Sequence, residues 1–151
     1  MKLTVAQFVI QTIPESLALV AFALAVCGQR LVKKHVLAAG LLFAVTVYVL
    51  RALPIAFGVH TMAALLAGMV WLRAVTGISH FKALYGLLVG ILLLATIEMV
   101  CLNALVYVTG KLLEAIRETW LWPFSGLPHV VILGGIAIGI DRFIKQRHLS
   151  S

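Results

Sequence analysis

Five side chains carry whatever chemistry this chain has: Glu15, Arg51, His60, Glu98 and Asn103. Each lies in or beside a long apolar run, where ionisable and amide groups are expensive and call for a reason. Glu15, Arg51 and His60 form one candidate set. A guanidinium facing a carboxylate makes strong paired hydrogen bonds, and such a pair can line a pocket for a polar ligand. Plainer roles are open to each. Glu15 closes the pattern Thr12-Ile13-Pro14-Glu15, a capping box with proline in the first turn, where the helix dipole favours a carboxylate. Arg51, at a helix end, can snorkel to lipid headgroups.

Glu98 is a different case. It sits inside an apolar run with Asn103 and Thr96 as its nearest polar neighbours in sequence, and no cap explains it. It is either protonated or meets a polar partner on another helix. A single packing hydrogen bond and a proton or cation relay both fit. His60 and His129 head helices on the same side as Glu15, but no spacing among them demands a metal, and none is expected. Cys27 and Cys101 form no CxxC and read as small apolar helix residues. Nucleophile elbows, HExxH and phosphate loops are missing, so no enzyme and no cofactor is expected.

The elements that must position these residues are membrane helices. Of 151 residues, 63% are hydrophobic and 11% charged, and the mean hydropathy is +1.12. A soluble domain is about half apolar and about a quarter charged, and one small core cannot hide such an excess. The net charge of +7 resembles that of a nucleic-acid binder. The basic residues, however, cap apolar runs and form no aromatic-laced patch, so lipid headgroups are the expected partner and nucleic acid is not.

The fold class expected is all-α, a polytopic membrane protein forming one transmembrane domain over 1–151. Spans fall at about 12–28, 36–51, 60–75, 81–108 and 128–144. The first reads as a retained span rather than a cleaved leader; whether residues 1–11 extend it stays open. Pro54 and Gly58 mark the turn between spans two and three. Span four exceeds a straight crossing of ~30 Å and must tilt, kink or project. Gly86 and Gly90 make a small-residue face on it, and Gly134, Gly135 and Gly139 suggest close packing of span five. An interfacial amphipathic helix is expected at about 111–122, with Leu112, Leu113, Ile116 and Trp120 on one face.

Charge sets the expected topology. Arg30, Lys33, Lys34, Arg73, Lys82, Arg142, Lys145 and Arg147 fall on one side, and Lys2, Arg51, Lys111 and Arg117 on the other. The richer side should be cytoplasmic, which puts the N terminus outside and the C terminus inside the cell membrane. Glu15, Arg51, His60 and His129 then share the outer side.

Two stretches, IPESLALV at 13–20 and RALPIAFGVHT at 51–61, resemble the membrane-embedded sensor region of Firmicutes sensor histidine kinases and related stand-alone membrane proteins. The resemblance implies a helical module with a short outer face that signals inward. These 151 residues hold no phosphoacceptor or ATP-binding domain, so such a module would act through a partner. The leading expectation is therefore a non-enzymatic membrane sensor or regulatory module. It would bind a ligand or partner through Glu15, Arg51 and His60, and assemble as a homo-oligomer or with a signalling protein. The alternatives are a small oligomeric transporter or channel using Glu98 and Asn103, and a structural subunit of a membrane complex.

Overall fold

The computed structural model describes residues 8–53, 57–110 and 127–149. Every element among them is helical: α1 Ile13–Val26, α2 Lys33–Ala52, α3 Phe57–Thr76, α4 His80–Thr109 and α5 Leu127–Leu149, with a π-helical turn, Phe8–Thr12, leading into α1. Four stretches are long and apolar enough to cross a membrane: Phe8–Val26, Lys33–Ala52, Val59–Thr76 and His80–Val108. The expected interfacial helix at 111–122 and the Pro54 turn lie outside the described residues. Gly58 is described, but it lies within the first turn of α3 rather than in a turn before it.

α1 is the axis of the bundle. It packs on α2, α4 and α5, while α2 meets α3 and α3 meets α4. Its neighbours surround it because its side chains are apolar on every face. Ala18, Leu19, Val20, Phe22, Ala23, Leu24 and Ala25 are all buried. A helix that is hydrophobic all round has to be wrapped by others. Leu72 of α3, Leu87 of α4 and Leu133 of α5 complete the core, each at 0% exposure.

The outer faces are as apolar as the core. Leu41, Val45, Leu66, Val70, Leu88, Leu92 and Val131 are all exposed. The α4 window is only 11% buried, against 50% for the first span. The longest apolar helix is thus the least covered by protein. In water that would be a large exposed apolar patch; against acyl chains it costs nothing.

Small residues decide how closely the helices approach. A Cβ at Gly86 would lie 2.6 Å from the Ala23 carbonyl oxygen and 3.0 Å from Cys27 Sγ, and one at Gly90 would lie 2.7 Å from Leu19 Cδ1. The small-residue face of α4 is therefore filled by α1 of the same chain. Gly134, Gly135 and Gly139 behave differently from expectation, since a Cβ at any of them meets nothing within 4 Å. The reason is rotational: α5 turns Leu133 and Ala137, both at 0% exposure, toward its neighbours.

The ends are closed by local hydrogen bonds. Gly28 takes φ +70°. Its N–H donates to the Ala25 carbonyl at 3.0 Å, and that of Gln29 donates to the Leu24 carbonyl at 2.9 Å. These two bonds satisfy the last carbonyls of α1, and only glycine takes the left-handed geometry they need without cost. Beside this turn the Cys27 thiol donates to the Lys82 carbonyl at 2.9 Å. Burial pushes that thiol above the usual cysteine range, so it stays a neutral donor rather than a nucleophile. At mid-bundle Trp71 Nε1 donates to Thr46 Oγ1 at 3.0 Å, and that hydroxyl donates to the Leu42 carbonyl at 2.8 Å.

The connection after α1 is held to α5 by Asp141. Its Oδ1 accepts the Leu31 N–H at 3.1 Å, and its Oδ2 pairs with Lys145 one turn on. Asp141 is 6% exposed. Asp141→Ala should lower stability by about 1–2 kcal/mol, since both a backbone donor and an ammonium lose a charged acceptor. Thermal unfolding in mild detergent checks this, and an unchanged midpoint would mean that the Asp141 contacts contribute nothing.

Candidate functional site

Each polar group at the other end of the bundle comes from a different helix. Glu15 lies in the first turn of α1, after Pro14. The turn before it docks on α2, where the Phe8 and Tyr48 rings meet at a 52° tilt with centroids 4.7 Å apart. Thr12 does not cap α1 as the capping box predicts. Its φ and ψ are −66° and −39°, already helical, and it makes no side-chain cap bond. The chain upstream is wound into the π-helical turn, so there is no extended residue from which a cap can act. The Thr12 hydroxyl is instead buried, at 3% exposure, with no partner among the described residues.

Arg51 occupies the last turn of α2, where the helix dipole favours a cation, and it is exposed. His60 lies near the start of α3, half-buried, with its Nε2 unpartnered. His129, in the first turn of α5, is 2% exposed, and neither ring nitrogen has a partner among the described residues.

Glu98 joins this end through the register of α4 on α1. Gly86 faces Ala23 and Gly90 faces Leu19, so the helices run antiparallel, and four residues up one match four back along the other. Continued by two turns, that register sets Glu98 level with Gln11 and Thr12. The electrostatics agree. The charges of Arg51 and Glu98 both act on Glu15, Arg51 acts on His60, and Glu98 acts on His129. Arg51 reaches Glu15 through space; the ion pair among the described contacts is the distant Lys145–Asp141.

The polar neighbours that sequence offered Glu98 are engaged elsewhere. Asn103 Nδ2 donates to the Met99 carbonyl at 2.8 Å, and Thr96 Oγ1 donates to the Leu92 carbonyl at 2.8 Å. Both are exposed and bond back onto their own helix. Charge thus links Glu15 to Arg51 and Glu98, His60 to Arg51 and His129 to Glu98 in pairs, and Asn103 bonds to its own helix. Sequence already put His129 on the side of Glu15, Arg51 and His60; the fold adds that it is buried. In sequence it is one of five histidines, and its single distinguishing signal is its place ahead of an apolar run.

No group of three His, Cys, Asp or Glu among the described residues stands close enough to hold a metal ion. The opposite end of the bundle is basic. There Arg73 Nη1 lies 3.3 Å from His80 Nδ1, and a recess is lined by Gln29, Arg30, His35 and Thr76. The chain matches no model of a protein family, no curated protein and no solved structure.

Proposed function

We propose that this chain is a non-enzymatic membrane sensor or regulatory module that takes a ligand or partner at the polar end of its bundle. Glu15, Arg51 and His60 are the binding residues. One observation carries the reading: several helices each send an ionisable group to one end, where buried polar atoms have no partner among the described residues. Buried polar groups are nearly always satisfied, so an orphaned set calls for a missing partner. The resemblance of 13–20 and 51–61 to sensor-kinase membrane regions points the same way. With α5 as a fifth span, the polar end lies outside, and the basic end with Arg30, Lys33, Arg73 and Lys82 lies in the cytoplasm. Binding outside would then shift helix packing inside, where a partner or a second copy of the chain reads it.

The test is extraction from native membranes in mild detergent, with mass determination of the intact particle. A bound small molecule or a co-purifying signalling protein is expected, with the small molecule lost in Arg51→Ala while assembly persists. A clean homo-oligomer with neither would overturn the reading.

A second reading, an oligomeric transporter or channel with Glu98 on its path, is favoured by one feature. Glu98 is half-exposed and acts electrostatically on both α1 and α5. Ion flux in proteoliposomes that Glu98→Gln stops would displace the sensor reading in its favour.

A further inference from the structure

We propose that the basic end of the bundle holds one anionic phospholipid by its phosphodiester, in the recess between the α1–α2 connection and the end of α3. The recess measures about 250 Å³, and Leu24, Gln29, Arg30, Val32, His35 and Thr76 line it. Its surroundings are tied by contacts far apart in sequence. The Cys27 thiol donates to the Lys82 carbonyl at 2.9 Å, which joins the end of α1 to the start of α4. Asp141 accepts the Leu31 N–H at 3.1 Å, which joins the connection to α5. The Gln29 N–H donates to the Leu24 carbonyl at 2.9 Å and sets the turn itself. This site is separate from the outer polar end and independent of the sensor reading.

Place and charge name the occupant. The lining comes from the ends of three helical stretches long and apolar enough to cross a membrane, Phe8–Val26, Lys33–Ala52 and Val59–Thr76. In a bilayer the recess therefore lies at headgroup level, where lipid phosphates are. Among the described residues, the side chains of Gln29, Arg30 and His35 have no hydrogen-bond partner. A guanidinium, an amide and an imidazole each offer an N–H, and a phosphodiester anion offers only acceptors. Lys33, Lys34, Arg73 and Lys82 stand exposed at the same end. Asp141 is the only acid there among the described residues, and its two oxygens are engaged by the Leu31 N–H and Lys145. It acts on Arg30 through space without occupying the guanidinium donors. A zwitterionic headgroup would bring one more cation into this field, so the lipid is net anionic. The Thr76 hydroxyl donates to the Leu72 carbonyl, so it presents an acceptor to the recess, which suits a headgroup carrying hydroxyls. Leu24 and Val32 make the rest of the lining apolar, which suits a lipid and not a free phosphate. Pockets for whole small ligands begin at about 300 Å³, so this one takes a headgroup.

The experiment is native mass spectrometry of the full chain in mild detergent, titrated with phosphatidylglycerol and, separately, with phosphatidylcholine of the same acyl chains. One phosphatidylglycerol per chain should be retained with a saturable dependence, in preference to phosphatidylcholine. Arg30→Gln should weaken its apparent affinity about tenfold, the loss expected for a charge-assisted hydrogen bond. His35→Leu should weaken it too, and serves if Arg30→Gln does not fold. Lys82→Gln removes the same charge from the same end but outside the lining, and should change the affinity by less than about twofold. Equal retention of the two lipids, equal losses in Arg30→Gln and Lys82→Gln, or an unchanged affinity in either folded lining variant overturns the proposal. Inorganic phosphate that displaces phosphatidylglycerol at equal concentration keeps the phosphate site and overturns the lipid as its source.

Discussion

Gly86→Leu is expected to remove the folded bundle from solution. The site has no room for a side chain, since even a Cβ would lie 2.6 Å from the Ala23 carbonyl oxygen. That atom belongs to the backbone of the central helix and cannot rotate away. The helices must separate, and with them the contact of Gly90 on Leu19 and Phe22 of α1. Overpacking a close helix contact typically costs 1–3 kcal/mol, and with backbone in the way about 3 kcal/mol or more. A useful opposite comes from α5. Gly135→Ala adds a Cβ where nothing lies within 4 Å, so it should stabilise by up to about 1 kcal/mol through helix propensity alone. Size-exclusion profiles and thermal midpoints in mild detergent read both. A Gly86→Leu protein that stays folded as a monomer with an unchanged midpoint, having only lost an oligomer, would show that this face meets another copy rather than α1.

His129→Phe is expected to stabilise the protein. The ligand-free protein should become more stable by about 1–2 kcal/mol, because a buried polar group without a partner carries a desolvation penalty of about 1–3 kcal/mol and a phenyl ring of similar shape removes it. For a chain of this size the gain amounts to a midpoint rise of roughly 2–4 °C per kcal/mol. A site that is destabilising when empty and useful when filled is the usual stability cost of function. A fall in the midpoint would mean that the imidazole already has a partner in the resting protein, and the argument from orphaned atoms would fail.

These two expectations rest on features with different visibility in the amino-acid sequence. The helices were legible. Long apolar runs ended by Arg30, Lys33 and Lys34 or by Arg73 and Lys82 read as helices long enough to cross a bilayer, and α2, α3 and α4 lie within three residues of where the runs place them. The fit to a bilayer is legible for the same reason, because the outward faces of Leu41, Leu66 and Leu92 suit acyl chains better than water. The start of α1 was misleading. Thr12 and Glu15 have the spacing of a capping box, but local spacing cannot reveal that the chain before them is already helical and docked through Phe8 on Tyr48. Gly86 and Gly90 read correctly as a close-packing face, while the partner that fills it could not be read, since a small residue records how near a neighbour comes and not which one.

The composition and the order of charged and apolar residues determined a bundle of helices long and apolar enough to cross a membrane, with a basic end, because burial of apolar surface and the cost of charge in hydrocarbon act on each segment separately. The same considerations singled out Glu15, Arg51, His60 and Glu98, each costly where it stands. Only the tertiary structure set Glu98 level with the turn that precedes Glu15, and buried the His129 that charge had already put on that side. That placement depends on the register of α4 against α1 and on the rotation of α5. These are set by a few close contacts, Gly86 on Ala23, Gly90 on Leu19, and Leu133 and Ala137 turned inward, that no single segment encodes.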